Sequence, residues 1–185
     1  AFYFATESEY VASCTFSCSR SSSEVTSEIE KWRVAGYVKK FMGASSIRSL
    51  EQAFLKTNSF CRPNVHRAFE SCEMKVENGP RSAVAIQIRA RDGRLAKDVV
   101  EFCIKGFADM VNERNLRVFE KHTARARVEI EKAKRRGKTV PEATLREIEE
   151  VRGCLENENY RVFGIQDVKV RFNGRRWCWS KAIER

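Results

Sequence analysis

One stretch, residues 92–136, limits what this chain can become. Leu95, Val99, Cys103, Phe107 and Val111 recur at helical spacing, and Val100, Ile104 and Met110 widen the stripe. Such a band predicts a helix with a broad buried face. From Leu116 the pattern narrows to Leu116, Phe119, Thr123, Ala126, Ile130 and Ala133, in alternating steps of three and four. That is a seam of coiled-coil type. Around it stand Arg114, Arg117, Lys121, Arg125, Arg127, Lys132, Lys134, Arg135 and Arg136. A buried helix therefore runs on, or hinges near residues 112–115, into a projecting basic one. Gly137 ends it. Thr139 and Glu142 have capping-box spacing, with Pro141 in the first turn. They predict a helix over residues 140–156 whose thin apolar edge (Leu145, Ile148, Leu155) folds back on the basic arm.

Upstream, residues 10–18 alternate, with Tyr10, Ala12, Cys14, Phe16 and Cys18 on one face of a strand. Cys14 and Cys18 lie about 13 Å apart at a rise of ~3.3 Å per residue, too far to bridge. After a serine-rich turn, Val25, Ile29, Trp32 and Gly36 form the apolar stripe of a helix, and a second short helix covers 47–57. Asn78-Gly79-Pro80 is the strongest break and divides the chain into 1–78 and 79–185, or punctuates one single domain. Val84, Ile86 and Ile88 mark a half-buried strand, and Asp92 is the candidate N-cap of the central helix. At the C-terminal end, Asn173-Gly174 predicts a two-residue hairpin turn. Closing it there puts Val168, Val170, Phe172, Trp177 and Trp179 on a core face, and Lys169, Arg171, Arg176 and Cys178 on the other. The fold class is α+β: a small antiparallel sheet, including a C-terminal hairpin, packed under helices with a projecting basic helical hairpin.

Of the 185 residues, 42% are hydrophobic and 32% charged, which suits a globular chain. The net charge of +10 calls for an acidic partner. No apolar run reaches the ~18 residues of a membrane span. The chain opens on Ala1, as after removal of an initiator Met or a targeting peptide. The seven cysteines include no Cys-x-x-Cys, so reduced, buried thiols in a reducing compartment, such as the cytoplasm, are expected.

Chemistry is sparse. His66 and His122 lack zinc-type spacing, and Cys61, His66 and Cys72 would need a loop to gather them. No Gly-rich phosphate loop occurs, and the acids interleave with bases as solvated pairs. The expectation is a protein that is not an enzyme. The candidate partner-binding set is Arg125, Arg127, Lys132, Lys134, Arg135, Arg136 and Lys138 on the arm, with Lys169, Arg171 and Arg176 on the hairpin.

The string Tyr10-Val11-Ala12-Ser13-Cys14-Thr15, followed by a basic amphipathic helix and Cys61, resembles the chromophore-bearing γ-type linkers of red-algal phycobilisomes. The resemblance implies a basic, non-enzymatic, plastid-located linker that threads acidic phycobiliproteins. Cys14 would then carry a covalent bilin. Two function classes follow. One is a scaffold subunit docking acidic proteins in a large assembly, and the other an RNA-binding subunit of ribosomal or viral nucleoprotein type.

Overall fold

The computed structural model describes residues 2–20, 28–77 and 82–181. Its organising strand is β1 (Phe2–Ser19). One edge of β1 pairs antiparallel with β3 (Ala83–Ala90), from Tyr10 opposite Ala90 to Ser17 opposite Ala83, and β3 in turn pairs with β2 (Glu73–Val76). The other edge carries β4 (Arg161–Phe163) at Ser17–Ser19 and β5 (Lys169–Lys181) along Phe2–Ser13. The alternation holds on both central strands. Ala12, Cys14, Phe16 and Cys18 are buried, as are Val84, Ile86, Ile88 and Ala90.

That face is covered by α1 (Glu28–Phe41), α2 (Ala44–Thr57), α3 (Arg62–Glu70) and the first half of α4 (Gly93–Arg135). Asp92 caps α4, its Oδ1 accepting from the backbone N–H groups of Arg94 (2.7 Å) and Leu95 (3.0 Å). Leu95, Val99, Val100, Cys103, Ile104, Phe107 and Val111 are all buried, as the stripe requires. Phe107 is wedged between sheet and helices, 5.5 Å from the Phe16 ring and 5.4 Å from that of Phe41. At Gly106 a Cβ would lie 2.7 Å from Leu50 Cδ2, so α2 crosses α4 at a point where a larger residue would push it off.

α4 does not hinge at residues 112–115. It runs 43 residues unbroken, about 64 Å at 1.5 Å per residue. Gly137, at φ 62, stops it: Lys138 N donates to Ala133 O (3.0 Å) and Gly137 N to Lys134 O (3.1 Å). These two bonds form a Schellman cap, which needs the left-handed backbone glycine supplies. α5 (Glu142–Glu158) then returns along α4 and touches no other element among the described residues. The seam is built of small side chains. Thr123, Ala126 and Thr144 are buried, and Thr144 Oγ1 donates to Glu129 Oε2 (3.5 Å). Leu116, expected in the seam, is 62% exposed.

Several expectations need correcting. The C-terminal hairpin does not form: β5 is one strand laid along β1. Glu9 faces Gly174 while Tyr10 faces Phe172, so Asn173 is the extra residue of a bulge and Gly174 takes φ 110. Asn-Gly signals a positive φ, and a bulge uses one as a tight turn does. The long open edge of β1 offers twelve register pairs, a longer ladder than residues 168–172 could make with 175–179. The backbone places Trp177 opposite Thr6 and Trp179 opposite Phe4. Their expected burial lies outside the described residues, as does Val25. Ile29 and Trp32 do not face the core; α1 buries Val34, Tyr37, Val38 and Phe41 instead. The break at Asn78-Gly79-Pro80 also lies outside the described residues. The strands on either side of it pair with each other and share one core with β1.

Candidate functional site: two cationic surfaces on the arm

The end of the arm gathers Arg127, Lys132, Lys134, Arg135, Arg136 and Lys138, all exposed. Arg135 reaches Glu131 one turn away (3.7 Å), a solvated pair worth a few tenths of a kcal/mol. Arg127, Lys132, Lys134, Arg136 and Lys138 have no acidic partner among the described residues. α5 carries acids (Glu142, Glu147, Glu149, Glu150), but its first carboxylate pairs within α5, Arg146 to Glu142 at 2.8 Å. Among the described residues the tip therefore carries uncompensated positive charge. Cations here also complement the C-terminal end of the α4 dipole, which stabilises the helix with or without a partner.

Of the other predicted contacts, Lys169 and Arg171 are exposed on β5, opposite Ser13 and Val11. The side chains of Arg125 and Arg176 lie outside the described residues. β5 passes the opposite end of α4, where a Cβ on Gly93 would lie 3.3 Å from Val170 Cγ1. The arm tip and the β5 cations thus sit about 60 Å apart along the helix and do not form one site.

At the root of the arm lies a cleft. Arg33, Gly36 and Tyr37 of α1, Arg114, Asn115 and Val118 of α4, and Asn159 and Tyr160 ahead of β4 enclose about 440 Å³. Asn115 Nδ2 donates to Tyr160 O (2.9 Å), tying the end of the helical hairpin back to α4. The Tyr37 and Tyr160 rings meet edge to face at 5.1 Å, and the Arg114 guanidinium sits 4.8 Å above Tyr37. Burial pushes both phenols up in pKa; Arg114 opposes this at Tyr37, and Arg33 and Arg20 oppose it at Tyr160. Tyr160 is 4% exposed, and its buried hydroxyl has Arg33 as a neighbour that favours the phenolate both by hydrogen bonding and through its charge. No sequence pattern marks the cleft, because its residues come from three distant segments.

The thiols sit mostly inside. Cys14, Cys18, Cys72 and Cys103 are buried and free, and Cys61 is free and exposed. Cys14 Sγ donates to Gln166 O (3.1 Å), and burial raises its pKa. Burial pushes Cys18 up to about 12, and the neighbouring Cys72 thiol together with burial raises Cys103. A bilin on Cys14 would require this thiol to leave the core. Cys61, His66 and Cys72 do not converge. His66 is held between Glu51 and Glu70, each at 3.2 Å, and among the described residues no group of three or more His, Cys, Asp or Glu is placed to hold a metal. No described helix is long and apolar enough to cross a membrane. No protein-family model matches the chain, and no curated protein matches it.

Proposed function

We propose that the chain is a non-enzymatic basic scaffold subunit whose helical arm docks acidic proteins within a large assembly. One observation carries this reading: the arm holds a cluster of exposed cations, five of them without an acidic partner among the described residues, at the end of a helical hairpin. A long helix backed by a second one fixes those charges in space. A partner of opposite sign is then steered at a distance and held over a broad surface. The resemblance of residues 10–15 to γ-type linkers makes acidic phycobiliproteins in the plastid the candidate partners, with a bilin as the cofactor that resemblance would add.

The second reading, an RNA-binding subunit, is favoured by Trp32, whose indole is 78% exposed beside Arg33 and open to base stacking. Isolating the native particle separates the two. The scaffold reading expects colourless or chromophore-coloured acidic polypeptides, aromatic side-chain absorbance exceeding nucleobase absorbance, and a particle that survives ribonuclease. A particle dominated by nucleobase absorbance and dispersed by ribonuclease would overturn it.

A further inference from the structure

Helix α1 has two apolar faces, and only one is used. Val34, Tyr37, Val38 and Phe41 enter the core, while Ile29 (65% exposed) and Trp32 (78%) recur with Arg33 and Gly36 on the outside at i, i+3, i+4 and i+7. An indole left this far in water, on the same face as an arginine and the rim of a cleft, has the composition of an interface anchor. Gly36 lines the cleft, and a Cβ there would meet nothing within 4 Å.

Across the cleft stands Arg114, so two guanidiniums from different helices face one space. Neither is ion-paired among the described residues. Paired forks of this kind match a carboxylate. A space of about 440 Å³ takes one or two side chains rather than a folded surface. A single exposed indole beside Ile29 offers one apolar seat, whereas a nucleic-acid strand needs a succession of stacking platforms.

We infer that the cleft between α1, α4 and the segment before β4 is a docking pocket for an acidic, extended peptide segment of a protein partner. A carboxylate of that segment lies between Arg33 and Arg114, and an adjacent apolar side chain rests on Trp32 and Ile29. The inference rests on the scaffold reading and deepens it: the pocket sits about 30 Å along α4 from the arm tip. Two linked contacts then reinforce each other through effective concentration.

The test uses the full chain and a fluorescein-labelled glutamate-rich peptide with one central phenylalanine, followed by anisotropy. An all-glutamate peptide and a single-stranded RNA of equal charge serve as comparisons. The Arg33→Gln/Arg114→Gln and Trp32→Ala variants alter exposed side chains, and their circular dichroism should match wild type. The pocket predicts about tenfold weaker binding for the double variant and about fivefold for Trp32→Ala. It predicts a change within about twofold for Lys134→Gln/Arg135→Gln/Arg136→Gln, and weaker binding of the all-glutamate peptide. Binding lost only in the arm-tip variant would overturn the pocket and leave the scaffold reading standing. Tighter binding of RNA than of either peptide, with the same dependence on Trp32 and Arg33, would overturn the pocket in favour of nucleic acid. Absence of peptide binding to wild type would overturn the pocket and leave the scaffold reading to be decided by the native particle.

Discussion

Replacing Phe107 with alanine removes the side chain that joins the sheet to the helical layer. Phe107 is fully buried, with the rings of Phe16 and Phe41 at 5.5 and 5.4 Å. Truncating such a residue costs about 3–5 kcal/mol for lost transfer energy and residual cavity. Two aromatic contacts, each worth ~0.5–1.5 kcal/mol beyond area, put Phe107→Ala at the upper end, about 4–5 kcal/mol. Unfolding entropy near 2.1 cal/mol/K per residue makes this a fall of about 10–13 °C in Tm for a chain of this length. Thermal and urea melts followed by far-ultraviolet circular dichroism measure it. The control is Phe172→Ala, where a ring 54% exposed keeps one edge contact with Tyr10 at 5.4 Å and should lose under about 1 kcal/mol. If Phe107→Ala lost no more than Phe172→Ala, α4 would not be the wedge that holds the layers together.

Two other outcomes follow from the strands. Ser13 and Lys169 are register partners, and opposed antiparallel positions lie within the Cα separation a disulfide needs. A Ser13→Cys/Lys169→Cys variant should therefore cross-link under mild oxidation, whereas bridging of Lys169→Cys to Cys178 would restore the closed hairpin. Cys18 is neutral in the fold, with its pKa raised from 9.0 to about 12. Its contribution to stability is whole below pH 9 and is lost as pH rises toward 12, at up to ~1.4 kcal/mol per pH unit. The difference in urea stability between wild type and Cys18→Ala should narrow over that window, and a constant difference would refute the burial argument.

The parts of this molecule that were legible in its sequence are those where one pattern had one solution. The α4 stripe, the alternation of residues 10–18 and 84–88, the Asp92 cap and the Gly137 stop each depend on local spacing or backbone sterics. Where a pattern had two solutions, long-range packing chose. Both sides of α1 are apolar, and only contact with the core selects Val34 and Tyr37 over Ile29 and Trp32. Asn173-Gly174 suits a turn or a bulge, and the choice lies with the free edge of β1, far away in sequence. The short elements α3 and β2 have too few residues to display a period. The arm cations were visible as a charge run. The cleft was not, because Arg33, Arg114 and Tyr160 become neighbours only once α1 and the helical hairpin are in place.

The central claim is that the arm binds an acidic partner by matched charge. Its most direct test is the affinity for the partner recovered from the native assembly, measured across a salt series. Wild type is compared with the reversal variant Lys134→Glu/Arg135→Glu/Arg136→Glu. Exposed charges are screened within about 8–10 Å at physiological ionic strength. Wild-type affinity should therefore fall steeply with salt while a salt-resistant apolar component remains, as expected for a protein partner. The reversal variant should bind far more weakly at low salt, with a flattened salt dependence, while the domain stays folded and its melting temperature falls only by the small helix-dipole contribution. Affinity that neither salt nor the reversal alters would contradict the claim and leave the arm a solvated helix.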